Sequence, residues 1–242
     1  MIPSVEGIEN SGSTAWSPDE TATISGWRVV SSGGFTRRLN SAASVGEVDT
    51  SMETCNAISR WLAERGAGLT VRVTPLMEDG VIAACLRDWG LARRDPTLVM
   101  VRRPEPANGH DDVVVVAADD PGYTAELIDL NYPDTSVRAA WDRIVERAGS
   151  SAVGLWVPGR AVGFTVVSNG IASVFSVAVR EGNRRFGLAT AIMNASAAWA
   201  LERDVEWQFV QVLGTNAAAI ELYEELGFIE RYRYSYLQPT GE

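Results

Sequence analysis

One stretch of this sequence combines arginine and glycine in a way that suits it to bind an anion. Arg184-Arg185-Phe186-Gly187-Leu188-Ala189 follows the alternating apolar segment 172–179 and precedes residues whose apolar positions recur with the period of a helix. This pattern predicts a strand, a glycine turn and a helix. The first four N–H groups of a helix have no partner inside it and together carry about half a positive charge. Because Gly187 and Ala189 add little bulk and Arg180 adds charge, we expect a phosphate or diphosphate to bind at this turn.

A second stretch places a tyrosine on another predicted helix. Ala219, Leu222, Tyr223 and Leu226 stand at positions i, i+3, i+4 and i+7, after the strand-like segment 209–213. This spacing fits a core aromatic residue with its hydroxyl at the edge of the core. Read by its spacing alone, Tyr223 is therefore more typical of a core position than of a functional one.

In this order, the two stretches resemble the signatures of the GCN5-related N-acetyltransferases (GNAT). Arg184-x-x-Gly187-x-Ala189 is similar to the (Gln/Arg)-x-x-Gly-x-(Gly/Ala) loop that holds the pyrophosphate of acetyl-CoA in that family. Asn216-x-x-Ala219-x-x-Leu222-Tyr223-x-x-Leu226-Gly227-Phe228 is similar to its last helix and the turn after it. One position departs from the family, because Glu181 stands where the usual Val-x-Pro-x-x-Arg lead-in has proline. We expect Glu181 to face solvent or to pair with an arginine.

The resemblance implies a fold, a co-substrate and a set of contacts. The fold would be α/β, with a mixed and twisted α+β sheet that is split at its middle, and the pantetheine of acetyl-CoA would lie in the split. Three groups of residues would bind the cofactor: the main chain of Val177, Ala178 and Val179, the loop of Arg184, Arg185, Phe186, Gly187, Leu188, Ala189 and Thr190, and the last-helix residues Asn216, Ala219 and Tyr223. No metal is implied.

The resemblance also assigns chemical roles. An acceptor amine would attack the thioester carbonyl, Tyr223 would protonate the departing thiolate, and Asn216 would fix the cofactor or the local turn. Family members remove the proton of the amine with a carboxylate or a chain of waters. Glu126, Asp129 and Asp134 are the candidates for the carboxylate, with Glu126 preferred, and each is otherwise an ordinary surface acid. A sensor or scaffold that binds acyl-CoA without transferring the acyl group is the alternative, and the presence of Tyr223 favours the enzyme.

Composition excludes several other kinds of chemistry. All 21 basic residues are arginine, so a Walker-type phosphate loop and Schiff-base catalysis have no lysine to use. The single histidine, His110, lies in a Pro/Gly/Asn-rich segment, and a His-dependent triad or metal cluster lacks material. Cys55 and Cys85 fall inside apolar helical patterns and are predicted to be buried, reduced thiols.

Charge and hydropathy bear on partners and location. The net charge of −10 argues against nucleic acid or an anionic membrane as the main partner. No run of 18 apolar residues occurs, and residues 1–10 lack the regions of a secretion signal, so a cytoplasmic location is the default expectation. The expected partner is a primary amine on a small molecule or peptide, and a second copy of the chain is a further candidate.

The order of predicted elements suggests two domains. Residues 1–22 are interpreted as a loose or surface-docked lead, 23–104 as a degenerate GNAT-like N-terminal domain, 104–112 as a linker and 112–242 as the catalytic GNAT domain. The segments 70–73 and 84–91 can be laid against 209–212 and 221–228, with Leu86 where Tyr223 stands. The first half would then be a tandem copy without the tyrosine and without the glycine loop.

Local patterns predict the remaining elements. Segment 26–30 turns at 31–34 and returns along 35–41 as a hairpin, and Thr50 with Glu53 forms a capping box before a helix. The pattern Gly26-Trp27…Gly34-Phe35-Thr36-Arg37-Arg38…Asn40-Ser41 also resembles the front segment of certain bacterial two-part acetyltransferases. Further predicted elements are strands at 69–73, 98–102, 113–118, 152–157, 161–167 and 229–237, and helices at 81–89, 123–130 and 138–147.

Overall fold

The computed structural model describes residues 1–44, 46–106, 112–132 and 137–240. His110, Asp134 and most of the predicted linker lie outside these residues. The chain divides into two compact units, of which the first contains residues 1–16, 99–212 and 216–231 and the second contains residues 17–98, 213–215 and 232–242. These limits differ from the predicted 1–22, 23–104 and 112–242, because single long strands supply residues to both units. The domain roles, including a degenerate copy, stay predictions.

The first unit carries most of the helices. Its elements are α1 Val5–Ala15, β6 Val114–Val116, α4 Pro121–Asn131, α5 Arg138–Ala148, β7 Ala152–Val157, β8 Ala161–Ser168, β9 Ile171–Val179, α6 Leu188–Leu201, β10 Trp207–Leu213 and α7 Ala217–Glu225. The second unit contains β1 Glu20–Ile24, β2 Trp27–Ser31, β3 Ser41–Ser44, α2 Met52–Ala63, β4 Val71–Val73 and α3 Asp79–Arg87. β5 Leu91–Arg102 and β11 Ile229–Pro239 contribute residues to both.

Both units use mixed sheets. In the first, the strands follow the order β5-β10-β9-β8-β7-β6, with β9 and β10 parallel and β6 to β9 antiparallel in sequence. In the second, the order is β1-β2-β3-β4-β11-β5, with β3 and β4 parallel and the pairs β1–β2, β2–β3 and β4–β11 antiparallel. The predicted α/β fold with a mixed sheet is confirmed.

Helix α6 covers one face of the sheet in the first unit. Its buried residues Leu188, Ile192, Ala195 and Trp199 pack against β7 and β8. The helix can approach closely because β8 has no side chain at Gly163, where a Cβ would lie 2.4 Å from the Cγ2 of Ile192. This close packing fixes the start of α6 relative to the strands.

An aromatic cluster fills the opposite face. Trp16, Trp141 and Phe164 are fully or almost fully buried, and their ring centroids lie 4.8–6.0 Å apart. Trp16 follows α1, whose Ser11 hydroxyl donates to the Ser168 carbonyl on β8. The prediction of a loose lead is therefore wrong for residues 5–15: buried Ile8, Ser11, Gly12 and Ala15 anchor a helix there. Most residues of α1 are small or polar, so its one apolar face gives only a weak pattern in the sequence.

The second unit has its own core and one highly ordered loop. Its core joins Trp27, Ile58 and Leu62 to β4 and α3. Cys55 and Cys85 are free and buried as predicted, and burial raises the pKa of the Cys85 thiol to about 12.

The amide of Asn40 holds the loop after β2: its Oδ1 accepts from the Ser31 hydroxyl and from two main-chain N–H groups, and its Nδ2 donates to two carbonyls.

Three local predictions need correction. The hairpin return begins at Ser41, because Arg37–Leu39 form a 3-10 turn instead of extending the strand. Ser51, not Thr50, caps α2, with its hydroxyl accepting from the N–H of Thr54. The strand predicted at 113–118 is shorter, Val114–Val116, and it is exposed at Val114 and Val115, since it is the last strand in its sheet order.

Candidate active site

The central strands of the first unit separate part-way along their length. The parallel pairing of β9 with β10 runs from Ile171–Trp207 to Val174–Val210. Beyond Val174, the described part of β9 is paired with β8 alone, through Phe175–Phe164, Ala178–Val162 and Val179–Ala161. The main chain of Val177 to Val179 thus has one edge without a partner strand among the described residues. Such an edge can accept an extended ligand as a further strand.

A bulge lies where the strands separate. Ser176 has φ = 51°, and the register with β8 shifts between Val162 and Phe164. The bulge reverses the side-chain alternation, because Phe175 joins the aromatic cluster whereas Val177 and Val179 pack with the α6 core. The end of α4 secures it: the Asn131 amide donates to the Ser176 carbonyl, 3.3 Å away.

The predicted glycine turn follows β9 and opens α6. Gly187 is the N-cap residue with φ = 73°, in the left-handed region that suits glycine. Among the described residues, no side chain caps the first turn of α6, and no atom beyond the adjacent residues lies within 4 Å of where a Cβ of Gly187 would stand. The N–H groups of Leu188, Ala189 and Thr190 therefore begin a helix beside open space, which is the arrangement that binds anions.

The arginines of this turn remain on the surface. Arg184, Arg185 and Phe186 are exposed, and the Nε of Arg184 reaches back to the Val179 carbonyl at 3.5 Å. Arg185 has φ = 65° and Gly187 has φ = 73°, so a residue in the left-handed region lies on each side of Phe186. Glu181 is exposed in a short 3-10 turn, as expected for a carboxylate that must stay clear of a bound anion.

Tyr223 lies on α7 with its ring in the core and its hydroxyl uncommitted. The ring packs 5.6 Å from that of Phe228, and burial raises the pKa of the phenol to about 12. Among the described residues the hydroxyl has no hydrogen-bond partner, yet it is not one of the polar atoms sealed from solvent. A protonated hydroxyl that reaches solvent without an internal partner is available to a ligand.

Asn216 acts on the local turn. Its Oδ1 accepts from the N–H of Ala219 at 3.2 Å and so caps α7. This contact matches one of the two predicted roles, and it leaves the Ala219 amide occupied by the cap. The direct contact of Asn216 and Ala219 with a cofactor stays a prediction.

Glu126 is engaged by three groups. Its Oε2 accepts from the Trp156 indole N–H at 2.7 Å and from the Gly159 N–H at 2.9 Å. Its Oε1 is closed to solvent, makes no hydrogen bond to the described residues and lies 3.6 Å from the Arg180 guanidinium, and the side chain is 10% exposed. Glu126 therefore fastens α4 to the β7–β8 turn, whereas Asp129 is 63% exposed and pairs with Arg180 at the surface. The general-base role of either residue stays a prediction.

One buried charged residue escaped the sequence interpretation. Arg102, at the end of β5, is 9% exposed and donates three hydrogen bonds to main-chain and side-chain acceptors of β10, α6 and α7. Its only sequence signal is an arginine that directly follows the apolar run Leu98–Val101. That signal reads equally well as the exposed end of a strand.

Comparisons with known proteins place the chain in a family and find similar folds. A family model described as "Probable histone acetyltransferase Rv0428c C-terminal" matches residues 4–237. A GCN5-related N-acetyltransferase from Kribbella flavida has a similar structure, with a TM-score of 0.70, 14% identity, and coverage of 100% of this chain and 98% of the other. A tandem GNAT protein from the clavulanic acid biosynthesis pathway, described as without AcCoA, gives a TM-score of 0.64 at 14% identity over 93% and 85%. At such identities these structures support the fold alone.

A curated relative matches over a shorter segment. "Uncharacterized N-acetyltransferase YobR" of Bacillus subtilis (strain 168) is 32% identical over 68 residues, which is 28% of this chain and 28% of the relative. In the part of the chain that the structure describes, no helix combines the length and apolarity that a membrane span requires. Because the family model spans nearly the whole sequence, the chain belongs to the family described as "Probable histone acetyltransferase Rv0428c C-terminal" and is a member of the GNAT superfamily.

Proposed function

We propose that this protein uses acetyl-CoA to acetylate a primary amine on a small molecule or peptide. The observation that carries the proposal is the turn at Gly187, where an uncapped helix start follows a strand with an unpaired edge. The first feature suits a diphosphate and the second an extended amide-bearing chain. Acetyl-CoA combines these two chemical features, and as a thioester it would supply an activated acetyl group.

The residues present fit this co-substrate. Within the part of the chain that the structure describes, no atom beyond the adjacent residues lies within 4 Å of a Cβ placed on Gly187, and the first N–H groups of α6 have no side-chain cap. The Arg184–Thr190 loop would hold the diphosphate, and the main chain of Val177 to Val179 would pair with the pantetheine amides. Arg184 and Arg185 are exposed and add positive charge to the same turn.

Tyr223 is the residue assigned to proton donation. With a pKa of about 12, its Oη keeps its proton throughout the neutral range. Its lack of an internal partner supports a role as donor to a sulfur anion. Because a thiol with a pKa of about 8.5 is a stronger acid than this phenol, a hydrogen bond to the sulfur is favoured over complete proton transfer.

The acceptor amine must lose a proton before it attacks. A lysine-like amine with a pKa of about 10.4 is only ~0.04% neutral at pH 7, so deprotonation must make up a factor of ~10³. Glu126 is the candidate base, but its Oε1 is closed to solvent and lies 3.6 Å from the Arg180 guanidinium, so an amine must open this contact to reach it. Glu126→Gln tests this assignment, because the amide oxygen can still accept from Trp156 and Gly159. Unchanged turnover in this variant would assign Glu126 to structure alone.

The acceptor class is proposed from charge. The net charge of −10 and the histone acetyltransferase description of the matching family both favour a cationic acceptor, such as a lysine-rich peptide. The alternative of a non-catalytic acyl-CoA sensor would keep the glycine turn but would have no need for the free hydroxyl of Tyr223.

A thiol-release assay tests the proposal directly. The protein is incubated with acetyl-CoA and pools of polyamines, aminoglycosides, amino acids and a lysine-rich peptide, and free CoA thiol is measured together with the mass of the amine. We expect amine-dependent thiol release and a mass gain of one acetyl group. Binding of acetyl-CoA without amine-dependent release would favour the sensor, and absence of binding would overturn both functions.

A further inference from the structure

A single arginine side chain links the two elements that carry the acetyltransferase motifs. The guanidinium of Arg102 uses each of its three nitrogens. Nη1 donates to the Leu226 carbonyl at 2.9 Å, Nη2 to the Met193 carbonyl at 3.1 Å and Nε to the Gln208 Oε1 at 3.0 Å. Leu226 ends α7, Met193 lies within α6 and Gln208 lies on β10.

The contact with Leu226 has the character of a helix cap. The last carbonyls of a helix have no intrahelical donor and carry partial negative charge, so a cation there is favourable. Leu226 is the C-cap residue of α7, and Gly227 turns the chain at φ = 81°. The guanidinium also lies 4.7 Å from the centroid of the Phe228 ring, which in turn packs on the ring of Tyr223.

The rest of the surroundings hold Arg102 in one orientation. The amide of Gln208 donates from Nε2 to the Ser196 hydroxyl at 3.0 Å, and Ser196 pairs with the Thr165 hydroxyl at 2.9 Å. Gln208, Ser196 and Thr165 are all fully buried. Burial lowers the pKa of Arg102 to about 10, so the guanidinium remains protonated at neutral pH. A buried network whose members are all bonded defines one geometry.

We infer that Arg102 is a positioning residue for Tyr223, and this inference rests on the proposed function. Arg102 fixes the end of α7, the helix that carries Tyr223, against α6, the helix that starts at Gly187. It touches neither amine nor thioester. Its effect on turnover passes through the orientation of the phenol, and its effect on acetyl-CoA binding is small because none of its hydrogen bonds goes to the Arg184–Thr190 loop.

A double-mutant cycle separates this role from general stabilisation. Arg102→Met removes all three donors and keeps an unbranched apolar stem, and we expect it to lower kcat about 30-fold or more with acetyl-CoA Kd changed by less than about threefold. In the Tyr223→Phe background, the same substitution should change kcat by less than about threefold, because the group it positions has gone. Equal losses in both backgrounds would overturn the inference.

The neighbouring arginine provides a matched control. Arg103 is 54% exposed, pairs with Glu206 at 3.6 Å and stacks on Trp207. Arg103→Met should leave kcat within about twofold, since exposed pairs of this kind contribute little. A loss of kcat as large as that of Arg102→Met would overturn the inference, because removing any arginine at this strand end would then have the same effect.

Amide hydrogen exchange tests the same link without activity. Arg102→Lys keeps a positive charge but cannot form the same three hydrogen bonds. In this variant the N–H groups of Leu226, Gly227 and Phe228 should exchange at least about tenfold faster than in the wild-type protein. The N–H of Ala191, at the start of α6, should keep its wild-type exchange rate. Unchanged exchange at the end of α7 would overturn the inference. If the wild-type protein transfers no acetyl group, the proposed function fails, and this measurement still decides whether Arg102 holds the helix. Arg102→Lys also carries the kinetic test if Arg102→Met does not fold.

Discussion

Replacing Gly187 by alanine separates backbone strain from ligand contact at the site. In the left-handed region an alanine is less stable than glycine by about 1–2 kcal/mol, and the loss of glycine freedom in the unfolded chain offsets part of that. A Cβ at this position meets no atom within 4 Å, so no clash adds to the strain. We therefore expect Gly187→Ala to lower the free energy of unfolding by about 1 kcal/mol.

The effect on the co-substrate should be larger than this strain. The added methyl occupies the open space beside the first N–H groups of α6, where a diphosphate would approach. Losing that approach is expected to raise the KM for acetyl-CoA about tenfold or more, equivalent to about 1.4 kcal/mol, with kcat within about threefold. Steady-state kinetics with varied acetyl-CoA and urea unfolding followed by circular dichroism measure the two effects.

Gly170 supplies the control for this experiment. It has the same φ of 73° in the β8–β9 turn, and a Cβ there also meets no atom within 4 Å. Gly170→Ala should therefore lose the same stability and keep the wild-type KM. Equal KM values for the two variants would refute the assignment of the Gly187 turn as an anion site.

Three further predictions concern Tyr223 and the loop of the second unit. Tyr223→Phe should lower kcat ~10²-fold or more with little change in acetyl-CoA Kd and in thermal stability, because the hydroxyl has no internal partner; a wild-type kcat would remove the tyrosine from the mechanism. Burial raises the pKa of the Tyr223 phenol to about 12, so activity that needs its protonated form is lost only as the pH rises through that value. With a saturating acceptor, kcat should therefore show no decline centred near pH 10, the pKa of a solvated tyrosine. A decline near pH 10 that disappears in Tyr223→Phe would contradict this prediction. Asn40→Ala leaves buried main-chain groups of the loop without partners, so it should lower the free energy of unfolding by about 2–4 kcal/mol in denaturant titrations. A change below about 0.5 kcal/mol would show that other contacts hold the loop.

The sequence predicted the motif-bearing elements well because their signals are local. Alternating apolar residues, a glycine turn and a helical period mark β9, the turn and α6, and the structure places Gly187 at the helix start as expected. The strand β10 and the tyrosine helix α7 were found in the same way. These elements carry their own start and stop residues, so neighbouring chain segments are not needed to identify them.

The missed features depend on contacts between distant residues. The bulge at Ser176 is secured by Asn131, 45 positions earlier, and period-two alternation gives no sign of it. Glu126 looked like a solvated acid, but a tryptophan and a turn amide engage it. Helix α1 has weak internal signals, and its position depends on the aromatic residues of β8 and β9 against which Trp16 packs.

The discontinuity of the first unit limits how the protein can be dissected. Its residues come from three separate stretches, 1–16, 99–212 and 216–231. A truncation that starts at residue 112 would discard α1, Trp16 and the strand end that carries Arg102, and it would expose Trp141 and Phe164 to water. Recombining this module with another protein would require transplanting all three stretches together, since a single cut point does not isolate it.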